Sequence, residues 1–318
     1  MTSNPFPTNP VLTGIAIAYK NDQSKYIYSR VLPTVPVVAR EFEWIEYNTP
    51  ENYRIPDTAV GRISRPNQVE FTGTRKGDSV IDYALDSPVP QSDIDAAIAG
   101  YDPLQRATMQ VADLVMLDRE KRCADLVFTL GTYDSTVRTT LSGTSQWSDY
   151  TNSDPITAIN AALDIPLVRP NIWVIGRAAW TVLRSHPKVI NALRGYEGTT
   201  ITSGNFGMVA AQDLAAYFEL DELIIGDSRS NTARLVQAGS YSRLWGKHSA
   251  FLVRNSFAGL TGGGVTFGMT AQFGSSVAAT IPDANIGMKG GVYVRVGESV
   301  KEVIASNLAG YFFQNCIA

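Results

Sequence analysis

The sequence predicts an α+β chain, on three observations. One stripe of apolar and small residues holds helical period across a single long segment. Two regions far apart in the chain, Val35 to Tyr47 and Gly291 onward, alternate with the period of two that marks strands. Between Asp154 and Asp227, short apolar runs bounded by Pro and Gly alternate with helix-patterned stretches, as in a compact α/β unit.

In chain order, residues 1 to about 36 carry five prolines (Pro5, Pro7, Pro10, Pro33, Pro36), many small polar residues and one apolar run, Val11 to Tyr19. A segment this poor in apolar residues builds no core alone, so it reads as an extended arm that needs a partner surface. Val35 to Tyr47, VPVVAREFEWIEY, follows as one strand with one apolar face. Prolines at 50, 56, 66, 88 and 90 then interrupt a stretch with dense charge of both signs. Basic Arg54, Arg62, Arg65, Arg75 and Lys76 face acidic Glu51, Asp57, Glu70, Asp78, Asp82 and Asp86, too many charges to bury within the segment. Val69 to Thr72 and Ser79 to Leu85 read as two strands joined at Arg75-Lys76-Gly77-Asp78, with Gly77 supplying a positive φ. Such a hairpin has too little apolar surface to stand alone and should lie on a neighbouring copy.

A short helix from Gln91 precedes the long one. Asp102, Pro103 and Gln105 give a capping side chain, a first-turn proline and a capping-box partner. Leu104, Thr108, Val111, Ala112, Val115, Arg119, Cys123, Leu126 and Leu130 continue at three- and four-residue steps, and Gly131 stands where a C′ residue would end the helix. Such a rod of about 28 residues spans roughly 42 Å. Asp113, Asp118, Arg119, Glu120, Lys121, Arg122 and Asp125 crowd its middle, which predicts a face turned to water or to another chain.

The Thr-, Ser- and Gly-rich stretch from Thr132 to Asp154 reads as irregular surface or edge strand. Asp154-Pro155 caps the next helix, NIWVIG (171–176) and ELIIG (222–226) are buried strands, and helices are predicted at 178–183, 186–193 and 212–218. Strand patterning returns at Tyr241 to Arg254, at Val265 to Phe273 and through Gly291 to Ala318, where the last strands could pair with Val35 to Tyr47.

At 318 residues and 44% hydrophobic composition the chain has material for one large or two smaller cores. A net charge of −3 announces neither a nucleic-acid-binding surface nor a polybasic membrane patch, so any nucleic-acid contact should be local or weak. Two cysteines, Cys123 and Cys316, form neither a disulfide framework nor a zinc spacing, which predicts a reducing compartment. With no long apolar run and no signal-like start, a soluble protein made in the cytoplasm is expected.

The chemistry-bearing residues are sparse. His186 and His248 have no nucleophile context, and His186 ahead of a proline reads as structural. Gly262-Gly263-Gly264 and Gly290-Gly291 lack the sequence of a phosphate loop, and Asp221-Glu222 would point to opposite faces of a strand and is assigned to solvent. Tyr241-Ser242-Arg243-Leu244-Trp245-Gly246-Lys247 mixes aromatic and basic residues but fits a packed strand. The expectation is a chain with no catalytic residues, no metal and no cofactor.

The order of parts, together with IYSRVLPTVPVVAREFEWIEY, PNIWVIGRAAWTVLRSHPKVINAL and AAYFELDELIIGDSR, resembles the major capsid proteins of tailed bacteriophages, which have the HK97-like fold. The resemblance implies an N-terminal arm (1–34), a P-domain strand (35–48), an extended β-hairpin or E-loop (49–90) and a P domain with a long spine helix (91–153). An α/β A domain (154–287, with some return to the P domain) and C-terminal P-domain strands (288–318) would follow. It further implies self-assembly, as hexamers and pentamers, into an icosahedral virion capsid enclosing double-stranded DNA without sequence-specific binding. Assembly would take place in the host cytoplasm, without a membrane, with portal, scaffolding and decoration proteins as the partners the resemblance implies. Inter-subunit contacts are expected from Arg65, Arg75, Lys76, Asp78 and Asp82 on the hairpin and from Arg119, Lys121 and Arg122 on the spine helix. Some members join a hairpin lysine to a neighbour's asparagine with a glutamate as base; Lys76 stands in the right kind of place, but no asparagine or glutamate can be assigned. An encapsulin-type nanocompartment shell is the nearest alternative, and an α/β enzyme with its site in 154–290 the alternative from another class.

Overall fold

Backbone pairing sorts the strands into a four-stranded sheet, a five-stranded sheet and two small ribbons, with the long helix packed against the first sheet. The computed structural model describes residues 26–47, 51, 53–70, 72–97, 102–196, 208–234, 237–255 and 264–318. Up to residue 25 the expected arm lies outside the described residues, as does its apolar run.

The first described element is α1 (Tyr28–Val31), which leads into β1 (Thr34–Val37). The four-stranded sheet has the order β1, β11 (Gly268–Asp283), β12 (Gly291–Ile304), β4 (Ile81–Pro90). β1 runs parallel to β11, while β12 is antiparallel to both of its neighbours. Midway along β11, four residues span two of β12, and Gly274 with φ 68 occupies the bulge. The long helix, α3 (Pro103–Val127), packs on β12 and β4; the short α2 (Gln91–Asp95) precedes it. Asp102 caps α3 as its sequence requires, accepting from the Leu104 N–H at 2.9 Å.

The five-stranded sheet has the order β5 (Arg138–Thr140), β13 (Gly310–Gln314), β10 (Ser249–Leu252), β6 (Ile172–Gly176), β7 (Glu222–Gly226). Helices α4 (Pro155–Asp164), α5 (Arg177–Leu183), α6 (Pro187–Tyr196) and α7 (Ala211–Tyr217) accompany it. Every residue of β6 is buried, as its uninterrupted apolar run requires. One core unites α1, the inner face of α3, this sheet and, through Ala278 and Val296, the first sheet.

Five expectations need correction. Val35 to Tyr47 is two strands in two sheets, β1 and β2 (Glu41–Tyr47), separated by a bend at residues 38–40. Arg75 to Asp78 is no turn: these residues lie inside β3 (Gly73–Ser79), which pairs with β2 so that Trp44 faces Lys76 and Glu43 faces Gly77. Alternating charge placed Arg75 and Lys76 in a loop by composition, but cross-strand pairing with β2 satisfies that backbone. The long helix ends at Val127, with Leu130–Thr132 as a separate 3-10 turn. Tyr241 to Arg254 is two strands, β9 (Tyr241–Arg243) and β10, parted by a turn at Gly246 with φ 48. Finally, β13 joins the five-stranded sheet between β10 and β5, so the last strand does not belong with the long β11–β12 hairpin, and it is β11 that pairs with β1.

Candidate assembly surfaces

The hairpin is larger than its sequence suggests. β2 and β3 form an antiparallel ribbon from Glu41↔Ser79 to Tyr47↔Gly73, and residues 48–72 connect them. Its base is held by a small apolar cluster of Val37, Phe42, Val80, Ala271 and Val303, with Trp44 stacked on Phe42 at 5.9 Å. From 53 to 70 every described residue is exposed, including Ile55 at 96% and Ile63 at 92%, with Tyr53, Val60 and Val69 beside them in sequence. At about 25 cal/mol per Å² of apolar surface, covering several such side chains stabilises an association by several kcal/mol. Val38, also 96% exposed, adds to the apolar surface at the base.

The expected hairpin contacts divide into two groups. Arg65 is exposed at the tip and has no ion pair among the described residues, like Arg54 and Arg62. Arg75 reaches Glu43 across the ribbon at 3.3 Å with both side chains largely in water, and Lys76 is exposed on the same strand. Asp78 and Asp82 are used at home instead. Asp78 pairs with Lys301 at 3.4 Å, and Asp82 accepts from Arg40 and from the Ser299 hydroxyl. Those hydrogen bonds, Arg40's first, hold the Asp82 carboxyl below its ordinary range. Next along β4, Asp86 takes both forks of Arg295 at 2.7 Å. The hairpin therefore has a base fastened to β12 and a tip left exposed among the described residues.

On α3 the expected surface is partly interior. Arg119 is buried, its side chain 1% exposed, where it donates to Glu298 at 3.1 Å and to the Thr34 hydroxyl at 2.9 Å. Its guanidinium also lies 4.5 Å over the Tyr28 ring. Burial pushes the Tyr28 phenol up to about 12, against the opposing pull of Arg119. Arg122 forks onto Glu302 at 3.1 and 3.3 Å, pairs with Asp118 and lies 3.6 Å over the Tyr83 ring. Only Lys121 keeps the expected exposure, pairing with Asp125 one turn on. Arg119 stands in the apolar stripe as well as in the charged crowd, and the stripe decides its direction.

Glu120, expected on a face turned to water or to another chain, is instead buried and is the most heavily used carboxylate described. It accepts from the Ile27 and Tyr28 N–H groups at 3.0 and 2.8 Å, from the Ser228 hydroxyl at 2.8 Å and from the Trp245 indole at 2.7 Å. Burial raises its pKa, while those four donors pull the other way. Trp245 is fixed for this contact because Gly226 carries no side chain; a Cβ there would fall 2.1 Å from the indole. Arg119 and Glu120 thus tie one turn of the helix to the first sheet and to the segment beside the second. Their sequence signals exist: Glu120 is in helical phase with Met116, Cys123, Ala124 and Val127, and Glu298 and Glu302 are in strand phase with Val294, Val296 and Val300.

The two histidines are structural. His186 Nδ1 accepts from the Lys188 N–H at 3.2 Å, which leaves Nε2 facing the Ser153 hydroxyl at 3.0 Å. His248 Nδ1 accepts from the Asn315 N–H at 3.0 Å. Both thiols are buried, and burial pushes both up. Glu222 is not free in solvent: Arg30 and Arg254 both pair with it. No cluster of three metal-ligating side chains occurs among the described residues.

No family model matches the sequence. Among characterised proteins, the chain is 46% identical to the major capsid protein of Pseudomonas phage JBD67 over 318 residues, the full length of both. Among solved structures, the fold is similar to that of a phage-related protein from Bordetella bronchiseptica RB50, with a TM-score of 0.72, 20% identity and 98% of each chain covered. It is also similar to the capsid of the cyanophage P-SCSP1u, with a TM-score of 0.58, 8% identity, and 91% of this chain and 88% of that one covered.

Proposed function

This chain belongs to the phage major capsid proteins and has their HK97-like fold, and from that premise we propose how its parts build the shell. Its role is structural, and copies of it associate with one another in the capsid of the virion. Our reading is that they do so as hexamers and pentamers in an icosahedral shell around double-stranded DNA, assembled in the host cytoplasm. Portal, scaffolding and decoration proteins are the further partners we propose.

The observation that carries this reading is the hairpin: a fastened base, and a tip whose isoleucines are exposed among the described residues. The tip lies on a neighbouring copy, where Ile55 and Ile63 supply buried area and Arg65, Arg75 and Lys76 supply charge around it. Lys121 contributes from the exposed face of the spine helix. Asp78, Asp82, Arg119 and Arg122 support these surfaces from within the chain. The regions act as arm (1–34), P-domain strand (35–48), E-loop (49–90), spine-bearing P domain (91–153), A domain (154–287) and C-terminal P-domain strands (288–318), except that residues 26–32 pack in the chain's own core, 35–48 holds two strands, β4 and β11 belong to the four-stranded sheet, and β5 and β13 serve the five-stranded one.

The test is expression of the full chain followed by sedimentation and electron microscopy. Closed particles are expected; species of fewer than about a dozen copies under all assembly conditions would sink the reading.

A further inference from the structure

Charge is unevenly distributed along this acidic protein. Between Glu222 and Asp283 the only carboxylate side chain is Asp227, against Arg229, Arg234, Arg243, Lys247 and Arg254. Arg254 is taken by Glu222. The others gather on and around the ribbon of β8 (Arg229–Asn231) and β9 (Tyr241–Arg243), at the end of the sheet where β6 and β7 finish.

In that ribbon Arg229 stands directly opposite Arg243. Side chains so placed have Cβ atoms about 5 Å apart, and like charges there repel. Asp227 relieves only part of this, because Arg243 and Arg177 share it. Burial raises the Asp227 pKa, but the two arginines outweigh it and hold the carboxyl below its ordinary range. Arg229 and Arg234 are exposed and have no ion pair among the described residues. Around them stand Ser230, Asn231, Thr232, Ser240, Tyr241 and Ser242, all hydrogen-bonding side chains, with Tyr241 71% exposed.

A protein partner generally needs a desolvated apolar centre at its contact, and neither strand of this ribbon carries an aliphatic side chain. Guanidinium forks among hydroxyl and amide donors, with almost no carboxylate, match a phosphate backbone instead. We propose that the β8–β9 ribbon is a sequence-independent contact for the phosphate backbone of nucleic acid, made by Arg229, Arg234 and Arg243. The proposal rests on the shell reading only for the presence of DNA. The ribbon holds that DNA locally and weakly, through a few contacts that salt releases.

The experiment measures binding of the full-length protein to a fluorescein-labelled 30-base-pair duplex of arbitrary sequence by anisotropy, from 50 to 200 mM salt, with sedimentation run separately on the same samples. Each phosphate contact contributes about −0.9 to the slope of log K against log salt, so the wild type should show a slope of about −2 to −3. R229Q/R234Q leaves the Arg243–Asp227 pair in place; it should flatten the slope by about 2 and weaken binding at 50 mM at least tenfold, with an unchanged melting temperature. Absence of binding by the wild type at 50 mM, or an unchanged slope in the variant, overturns the proposal. So does displacement of the labelled duplex by polyglutamate as readily as by unlabelled duplex, or loss of particles in the variant with duplex binding intact, since both point to a contact between copies. Failure of the wild type to form particles while binding the duplex with the expected slope bears on the shell reading alone.

Discussion

At the scale of single residues, the charges on the spine helix sort by phase rather than by type. Arg119 and its partner Glu298 both occupy inward phases, one on the helix and one on β12, and both are buried, with Glu302 a second carboxylate 4.0 Å from Arg119. Removing one member of such a pair costs about 3–5 kcal/mol. R119M should therefore lower monomer stability by that order in urea unfolding, whereas K121E, beside an exposed i,i+4 partner, should stay within about 0.5 kcal/mol. Equal effects would show that the buried pair is not what holds this turn. Both inward phases are legible in the sequence; what is not legible is that they meet, because 179 residues separate them. The histidines supply a pH prediction. Burial first, then a neighbouring lysine, lowers both pKa values below the ordinary 6.5. The unfolded chain thus takes up protons before the folded one, so their contribution is complete above about pH 6.5 and is lost as pH falls from there toward the folded values. Comparing urea midpoints at pH 7.5 and 5.5 should show a smaller drop in a H186Q/H248Q variant than in the wild type.

At the scale of elements, legibility followed the locality of the signal. The start of α3 was readable because cap, proline and stripe lie within a few residues, and D102A should cost about 1 kcal/mol in the same unfolding assay. β6 and β7 were readable because a strand buried on both faces writes a continuous apolar run. The hairpin's detail is not legible locally because β3, GTRKGDS, has no apolar alternation of its own, and its pairing is set by β2 some thirty residues earlier. That correction changes how the hairpin should be cut. Residues 79–86 include most of the stretch of β4 paired with β12, so a deletion reaching Asp86 removes part of the central sheet. Replacing only 53–70 with a short glycine-serine link removes the exposed isoleucines and leaves the base cluster intact. The trimmed chain should melt within about 3 °C of the wild type yet form no closed particles on sedimentation. Normal particles from it would remove the hairpin from the assembly surface.

At the scale of the whole molecule, the two sheets are joined by segments that lie far apart in sequence. Tyr26, Ile27, Tyr28, Val31 and Leu32 are all buried, and all belong to the core shared by the spine helix and the five-stranded sheet. Composition predicts for this stretch an arm that needs a partner surface, and from residue 26 onward that surface is the chain itself. Each large apolar side chain fully buried contributes about 1.5–3 kcal/mol, so these five are worth on the order of 10 kcal/mol. That is comparable with the entire 5–15 kcal/mol by which a domain is usually stable. Their backbone is also bound to Glu120, and the Arg30 carbonyl accepts from Arg254 at 2.7 Å, so removing them strands buried polar groups as well. Truncation through Pro33 should therefore leave a chain that does not fold, read as loss of the cooperative melting transition and of near-ultraviolet circular dichroism. Adding the peptide 26–37 in excess should restore part of that signal. A truncated chain that melts cooperatively near the wild-type temperature would mean that the two sheets cohere through the spine helix alone.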